Sequence, residues 1–419
     1  MTDSIESYYN SLERRDHDSA LANVVYIMEN DSALKGLYKF NEFSYEVEHT
    51  GPVGWSKNIR EGMAVTDNDI CELLVYMAKR YNFSPAIQRV EQSVQAISLR
   101  KKYNPIKDYL ESLTWDGQSR LDDWLIEIAG ATTNLYTRAV GQKVLVGAVK
   151  RIYEPGCQFD YMMILEGGEG IGKTTMLKIL ADKWYSTLSF SMQNKDIIDQ
   201  MRGKWLFEIE EMHGFDRAER NRVKATITRT TDRCRLSFGR RAQDFPRNCI
   251  LIGTMNPEGE NKYLDDAENR RFWPVALSGK VKLDLLLEIR DQLWAEACFL
   301  YKQGEKLYLD EDAETIVKEM RNERRIADDP WEMVLKKYFE SKPHIYHFTA
   351  DEIMSQALNI PPERMTRGNA SRLGRTMLKC GWEKRRKDGQ YYYEKPPTAE
   401  NWEGTEEIPT ATGDQERRP

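Results

Sequence analysis

Hydrophobic and polar positions follow two different patterns along the chain. Up to about residue 100, apolar residues recur mainly at helical spacing, as in Asp69–Arg80, which predicts a mostly helical region. From about Tyr161 onward, short apolar runs alternate with helical patterns, and strands that alternate with helices predict an α/β fold with a largely parallel sheet. The predicted strands are Tyr161–Leu165, Tyr185–Phe190, Trp205–Ile209 and Ile250–Ile252.

The same patterns predict the segments on either side of this core. Asn104–Leu125 reads as two amphipathic helices separated by the turn dipeptide Asp116-Gly117. The sheet closes near Val275, and a helix is predicted over Leu283–Gly304. The predicted parts are a helical N-terminal region (1–100), a helical collar (101–150), an α/β core (151–308), a helical connector (309–330), a small C-terminal domain (331–395) and a disordered acidic tail (396–419).

Composition excludes several classes of protein. A chain of 419 residues is too long for one ordinary domain, and its net charge of −6 excludes a uniformly basic, histone-like protein. The apolar runs are far shorter than the roughly 20 residues of a transmembrane helix, and the N-terminus lacks a signal-peptide pattern. Scattered cysteines without a C-x-x-C pair, and histidines without a paired motif, argue against disulfide and zinc sites. We therefore expect a cytoplasmic protein.

A glycine-rich segment carries the clearest chemistry. Its residues, GGEGIGKT, fit the P-loop pattern G-x-x-x-x-G-K-[ST] between a predicted strand and a predicted helix. The glycines let backbone N–H groups surround phosphate oxygens, Lys173 adds positive charge, and the Thr174 hydroxyl can ligate Mg²⁺. The predicted ATP and Mg²⁺ site comprises Gly167, Gly168, Glu169, Gly170, Ile171, Gly172, Lys173, Thr174 and Thr175.

An acidic strand supplies the carboxylates that such a loop needs. In WLFEIEE, side chains alternate, so Glu208 and Glu210 share one face and Glu211 stands at the strand end. We expect Glu210 and Glu211 to hold the metal and activate water, with Glu208 supporting them. A solvated edge strand is the alternative, which the flanking Trp205 and Phe207 disfavour.

Two further elements would complete a hydrolytic site. Asn256 ends an apolar strand and could orient the attacking water, although Asn-Pro is also an ordinary turn. Arg270 and Arg271 are candidates for the arginine that reaches the developing charge, often in a neighbouring subunit, and Arg271 is favoured. The structural alternative is an arginine stacked on Trp273 or paired with a nearby aspartate.

The segment Lys224–Arg247 is rich in basic residues and resembles a hairpin that presents Arg240 and Arg241. In a ring-shaped translocase, such a loop would face the central channel and contact DNA phosphates. Alternatively, other arginines of this segment complete the nucleotide site or a subunit interface. These are Arg233, Arg235 and Arg247.

The C-terminal pattern predicts a winged helix. Helices over Asp351–Leu358 and Arg364–Cys380 precede a hairpin over Trp382–Tyr393 with Asp388-Gly389 at its tip. Residues 361–395 contain ten basic and four acidic side chains in a chain that is acidic overall, which indicates a contact with duplex or origin DNA. A solvated face or a protein-docking module is the alternative, and the acidic tail could compete with DNA. The candidate DNA contacts are Arg372, Arg375, Lys384, Arg385 and Arg386.

The motifs GGEGIGKTT, FEIEEM, LSFGRRAQDFPRNCILIGTMN and NRRFWPV together resemble the virulence-associated protein E family of phages and genomic islands. NPIKDYLESLTWDG and PPERMTRGNASRLGRTMLKCGWEKRR extend the resemblance over most of about 20–395. It implies an AAA+-like (ASCE) P-loop core related to superfamily 3 helicases, hexameric rings and a role in DNA replication. Some phage relatives carry a primase domain, for which this sequence shows no pattern.

The resemblance also implies roles for individual residues. Lys173 and Thr174 would act in the P-loop, Glu208 and Glu211 on the acidic strand, and Asn256 as a sensor. An arginine finger would lie within Asn269–Arg271.

The sequence as a whole predicts a ring-forming, ATP-hydrolysing replicative helicase of a phage or mobile element. An ATPase switch that loads or remodels replication proteins is one alternative, and it predicts hydrolysis without strand separation. An initiator in which nucleotide only drives assembly is another, and it predicts sequence-specific DNA binding with slow turnover.

Overall fold

A computed structural model describes residues 20–56, 58–188, 198, 200–210, 217–234, 242–256, 270–327, 330–343, 347–387 and 390–395. The chain divides into two compact units, Met1–Val317 and Lys318–Pro419. Several predicted features lie outside the described residues: Glu211, Arg235, Arg240, Arg241, Asn269, the Asp388-Gly389 tip and the tail 396–419.

The N-terminal region combines helices with a small sheet. Its elements are α1 (Ala20–Asn30), β1 (Tyr38–Asn41), β2 (Glu46–His49), α2 (Asp67–Tyr81), α3 (Ile87–Ser98) and β3 (Lys102–Tyr103). The helix predicted over Asp69–Arg80 is confirmed, and a capping box between Thr66 and Asp69 begins it. The prediction of a mostly helical region missed the sheet, whose strands are ordered β2-β1-β3. Strands of four residues or fewer are too short to show a clear alternation.

The collar contains α4 (Pro105–Ser112), α5 (Trp124–Glu127) and α6 (Leu135–Tyr153). The first helix predicted within Asn104–Leu125 is confirmed, but the second was wrong, since only the short α5 forms there. The reason is a buried carboxylate. Glu296 accepts hydrogen bonds from the backbone N–H groups of Arg120 (2.7 Å) and Leu121 (3.0 Å) and from the Ser119 hydroxyl (2.8 Å). These bonds satisfy the backbone without a helix.

The core is a mixed α/β structure around a parallel sheet. Its elements are β4 (Met162–Glu166), α7 (Lys173–Ala181), β5 (Tyr185–Thr187), β6 (Leu206–Ile209), α8 (Arg217–Ile227), β7 (Thr231–Cys234), β8 (Gln243–Pro246), β9 (Ile250–Met255), β10 (Phe272–Ala276) and α9 (Leu283–Lys302). In the described residues, the sheet has five strands in the order β10-β4-β9-β6-β5, and every neighbouring pair is parallel. The carboxyl ends of all five strands therefore meet at one edge, where ligands bind in sheets of this kind.

Helices cover both faces of this sheet. On one face lies α7, whose Thr174 contacts Glu208 of β6. Just before β6, Trp205 stacks on Trp294 of α9 at 4.1 Å, and their indole N–H groups donate to carbonyls of α6 and α7. On the other face, Val223 and Ile227 of α8 pack with Phe207 and other buried residues. Side chains alternate along β6, so Phe207 faces α8 while Glu208 faces the side of α7. None of the described helices has the length and apolar character to span a membrane.

The strands β7 and β8 form the arms of the predicted basic hairpin. They pair antiparallel from Thr231 opposite Pro246 to Cys234 opposite Gln243. The hairpin prediction is confirmed for these arms, whereas Lys224 lies in α8 before them.

The second unit contains α11 (Pro330–Glu340), β11 (His347–Thr349), α12 (Ala350–Glu352), α13 (Arg367–Lys379), β12 (Glu383–Lys387) and β13 (Gln390–Glu394), preceded by the connecting helix α10 (Glu311–Ala327). Its described strands form an antiparallel sheet ordered β11-β13-β12. Leu335, Phe348, Leu373, Trp382 and Tyr393 build a separate hydrophobic core beneath the helices. Helices followed by a β-hairpin match the pattern that the sequence predicts for this segment.

Candidate functional site

The glycine-rich loop lies between the end of β4 and the start of α7. Gly172, which directly precedes the helix, has a φ of 103°, a value that disfavours side chains with a Cβ. Gly167 lies in close contact with its neighbours, because a Cβ there would lie 2.5 Å from Cδ1 of Ile171 and 3.2 Å from Cβ of Leu277, so both side chains would have to shift. The local backbone therefore depends on the glycines that define the motif.

Lys173, the first residue of α7, is buried within this loop. Its ammonium donates hydrogen bonds to the carbonyl oxygens of Gly167 (2.6 Å) and Gly168 (2.8 Å) and to Oδ1 of Asn256 (3.1 Å). Burial lowers the pKa of the Lys173 ammonium, although the carboxylates of Glu208 and Glu169 oppose that shift. The contact with Asn256 joins the loop to the end of β9, the strand that pairs with β4.

Glu208 is the centre of a hydroxyl cluster and is completely buried. Its Oε1 accepts hydrogen bonds from the hydroxyls of Thr174 (2.8 Å) and Thr254 (2.7 Å), and its Oε2 accepts one from Tyr185 (2.5 Å). Burial and the hydrogen bond to Glu208 raise the pKa of the Tyr185 phenol, which keeps it a neutral donor. Glu208 thus contacts the motif hydroxyl directly, although the sequence ranked it behind Glu210 and Glu211.

Thr254 and Tyr185 were not singled out from the sequence. Thr254 stands two residues before Asn256, so strand alternation places both side chains on one face and could have indicated Thr254. Tyr185 lies on β5, and its contact with Glu208 of β6 depends on the pairing of β5 with β6, which the sequence does not reveal.

A cavity of about 310 Å³ opens above this cluster. It is lined by Glu169–Thr175 of the loop, by Glu210, and by Thr254, Met255 and Asn256. Glu210 is exposed at its rim, one residue past the end of β6. The structure therefore brings together the whole predicted loop with Glu208, Glu210 and Asn256.

The oxygen groups around the cavity fit Mg²⁺ chemistry. Hydroxyl and carboxylate oxygens are the ligands that this hard cation prefers. In the part of the chain that the structure describes, there is no group of three or more His, Cys, Asp or Glu side chains that could hold a metal ion. Mg²⁺ in proteins usually combines one or two carboxylates with water and substrate phosphates.

Arg270 and Arg271 lie at the opposite edge of the sheet. They directly precede β10, and the backbone carbonyl of Arg271 accepts a hydrogen bond from Met162 at the start of β4 (2.8 Å). The glycine-rich loop begins at the other end of β4, about 15 Å away at the usual rise per residue. Neither arginine lines the cavity of its own chain. The ring of Trp273, which follows these arginines, stacks on the ring of Tyr161 with 4.3 Å between the ring centres.

Arg247 belongs to the structure of the hairpin. Its guanidinium is buried and forms a two-pronged contact with Asp232 of β7, at 2.6 Å and 2.7 Å. The same side chain donates to the carbonyl of Thr226 in α8. Arg233 is exposed and faces Asp244 at 3.7 Å. Arg247 therefore uses its donors inside the fold, and a role for it in a nucleotide site or a subunit interface stays a prediction.

The basic residues predicted for the C-terminal unit have different environments. Arg372 lies over the ring of Trp331 at 4.1 Å, and Arg375 on the same helix is exposed. Lys384, Arg385 and Arg386 are all exposed on β12.

A model of the virulence-associated protein E-like domain matches residues 110–326, slightly more than half of the chain. The protein belongs to this family. The match to the virulence-associated protein E-like domain contains the parallel sheet, the glycine-rich loop, the buried Glu208 and the β7–β8 hairpin.

This virulence-associated protein E-like chain is similar to two solved structures. The first is the apo structure of the NrS-1 C terminal region (305–718), at 13% identity and a TM-score of 0.45, covering 85% of this chain and 95% of that chain. The second is the A form apo structure of the same region, at 11% identity and a TM-score of 0.45, covering 89% and 98%. No curated protein matches the chain.

Proposed function

We propose that this protein is a Mg²⁺-dependent, ATP-hydrolysing DNA motor with an AAA+-like P-loop core. In this proposal it acts in the host cytoplasm as a ring-forming replicative helicase of a phage or mobile element, and its partners are a primase or other replication proteins. The observation that carries the proposal is that Lys173 and Thr174 line one cavity beside the glycine-rich loop, while the buried Glu208 accepts a hydrogen bond from the Thr174 hydroxyl.

Phosphate binding follows from the charge and dipole of this cavity. The N-terminus of α7 points its backbone N–H groups toward the loop, and an anion is stabilised at such a helix end. The ammonium of Lys173 is a cation at the same place, and its burial strengthens its attraction for phosphate oxygens. Together they favour a polyphosphate such as that of ATP.

The metal would be held by Thr174, Glu210 and Glu211. When bound, Mg²⁺ neutralises phosphate charge and stabilises the charge of the transition state. Glu208 accepts the hydrogen of the Thr174 hydroxyl, which leaves the lone pairs of that oxygen available to a cation. We therefore propose Glu208 as the group that orients the Thr174 ligand, with Glu210 or Glu211 drawing the proton from the attacking water.

Asn256 and the two arginines would complete catalysis. Asn256 contacts Lys173 and lines the cavity, a position suited to sense the γ-phosphate or orient water. Arg270 and Arg271 lie too far from their own cavity, so an arginine finger at these positions would serve the site of a neighbouring subunit. This arrangement supports a closed ring, and the basic hairpin with Arg240 and Arg241 would then contact DNA.

Steady-state ATP hydrolysis of the full chain tests this function. We expect Mg²⁺-dependent hydrolysis that single-stranded DNA stimulates, in a particle of hexamer mass when nucleotide is present. Replacing Mg²⁺ with EDTA should stop the reaction. A strand-displacement assay then tests unwinding. Hydrolysis by a monomer or dimer that ignores DNA would contradict the motor and favour a partner-dependent switch.

Replacing Tyr185 with phenylalanine should weaken the use of Mg²⁺ without unfolding the protein. Tyr185 supplies one of the three hydrogen bonds that hold Glu208, and loss of such an outer partner commonly costs about 10- to 100-fold in metal affinity. We expect the Mg²⁺ concentration for half-maximal hydrolysis to rise by about 10-fold. The matched control is Ser186→Ala on the same strand, whose hydroxyl donates to the Thr187 carbonyl. An unchanged Mg²⁺ dependence in Tyr185→Phe would show that Glu208 needs no such support.

A further inference from the structure

Helix α13 and the β12–β13 hairpin carry the candidate basic residues of the C-terminal unit, and two of the four basic residues of α13 already contact α11. The guanidinium of Arg372 lies over the ring of Trp331, and the ammonium of Lys379 pairs with Glu332. Trp331 and Glu332 both belong to α11, which packs against α13. Lys379 retains only 24% of its side-chain exposure. Both side chains are also partly buried, whereas Lys384 and Arg386 of the hairpin are exposed. Arg372 and Lys379 therefore stabilise the contact between the helices and are poorly placed to meet a ligand.

The β12–β13 hairpin sorts its residues into two faces. Residues directly opposite each other in an antiparallel pair share a face, so Lys384 and Tyr393 lie on one side together with Arg386 and Tyr391. Arg385 lies on the other side, where it contacts Glu383 at 2.8 Å and Glu394 at 4.0 Å. Charge on that side is therefore balanced by the hairpin itself.

The side that carries Lys384 and Arg386 is buried at one end of the hairpin and exposed at the other. Near the body of the unit, Tyr393 is buried against the hydrophobic core, with its hydroxyl close to Gly374 of α13. Farther out, the ring of Tyr391 is 53% exposed. The ammonium of Lys384 lies 4.3 Å from the centre of that ring, and the guanidinium of Arg386 lies 5.4 Å from it. We name Lys384, Arg386 and Tyr391 the basic–aromatic face.

We infer that the basic–aromatic face of the hairpin, rather than α13, is the nucleic-acid contact of the C-terminal unit, and that it binds a strand with an unstacked base. The inference deepens the proposed DNA motor and rests on it. Two cations that flank an exposed ring match a nucleotide, because the phosphates pair with the cations while a base stacks on the ring. A blunt duplex keeps its bases stacked on each other and offers the phosphates alone.

Fluorescence anisotropy of the full chain tests the inference, with oligo(dT) and a blunt duplex of equal length over a series of salt concentrations. The double variant Lys384→Ala/Arg386→Ala should bind both DNAs more weakly. For oligo(dT), the slope of log K against log salt should decrease by about 0.7 for each cation removed. Tyr391→Ala should weaken oligo(dT) binding by about 10-fold and leave duplex binding nearly unchanged.

Two exposed arginines provide matched controls. Arg385→Ala removes a cation from the same strand on the opposite side, where the side chain is 57% exposed, and Arg375→Ala removes one from α13. Both should bind DNA as the wild type does. An equal or larger loss in Arg385→Ala would overturn the inference in favour of a nonspecific basic run, and such a loss in Arg375→Ala would favour the helix.

Failure of this inference can be distinguished from failure of the proposed function. ATP hydrolysis without DNA is measured on every variant and should equal that of the wild type, since the substituted side chains are exposed and belong to the second unit. Wild-type affinity for both DNAs in the double variant would overturn the inference while hydrolysis stays intact. Absence of hydrolysis in the wild type would instead contradict the proposed ATPase activity. The DNA measurements would still show whether the basic–aromatic face binds DNA.

Discussion

Replacing Lys173 with alanine is expected to lower Mg²⁺-dependent ATP hydrolysis by at least about 100- to 1000-fold, the usual cost of removing one group that stabilises transition-state charge. The Lys173 ammonium is the buried cation of the cavity and lies between the loop and Asn256. Alanine removes that charge, and no change in ATP concentration restores an interaction that is made in the transition state. Steady-state hydrolysis and binding of a fluorescent ATP analogue measure the two effects separately.

Lys178→Ala is the matched control for this change. Lys178 lies on the same helix, is exposed, and has its ammonium 5.5 Å from the centre of the Tyr185 ring. Its loss should leave hydrolysis close to that of the wild type. Circular dichroism should show both variants folded. Full hydrolysis in Lys173→Ala would exclude the glycine-rich loop as the site of reaction.

The sequence predicted the loop well because its determinants are local. The motif, the preceding apolar strand and the following helix lie within one short segment, and Gly167 and Gly172 are required by the backbone they create. The hairpin of the C-terminal unit was predicted for a similar reason. An Asp-Gly dipeptide between alternating residues specifies a turn without help from the rest of the chain.

The role of Glu208 could not be derived locally. Alternation places Glu208 and Glu210 on one face of β6, but it does not say which of them lies beside Thr174. That choice depends on where the start of α7 lies along β6, and there the Thr174 hydroxyl meets Glu208. Tyr185 was missed because its contact with Glu208 requires the pairing of β5 with β6, two strands separated by a long connection.

Long-range contacts also explain the other differences. The second collar helix did not form because Glu296, far away in the sequence, accepts the N–H groups of Arg120 and Leu121. The sequence places Arg270 and Arg271 after the polar strand but does not locate them in the sheet. Only the parallel register of β10 and β4 locates them at the far edge of the sheet.

Replacing Arg247 with methionine is expected to destabilise the first unit by about 3–5 kcal/mol, the usual cost of breaking a buried ion pair from one side. Asp232 would remain buried without the guanidinium that now contacts both of its oxygens. The carbonyl of Thr226 would lose a donor as well. The urea midpoint of the unfolding transition, followed through the buried tryptophans of the core, measures the loss.

A double-mutant cycle identifies the cause of that loss. Adding Asp232→Leu to Arg247→Met removes the carboxylate that has lost its buried partner and keeps only the half-exposed Arg229 at 3.7 Å. The double variant should therefore be more stable than Arg247→Met alone, with coupling between the two changes. Arg233→Met on the same hairpin is the control. Its side chain is 70% exposed and faces Asp244 at 3.7 Å, so its loss should leave the urea midpoint unchanged. If Arg247 instead served the nucleotide, Arg247→Met would lose hydrolysis while keeping the midpoint of the wild type. The buried pair predicts the reverse order, in which the midpoint falls first and hydrolysis is lost only as the arms of the hairpin separate from α8.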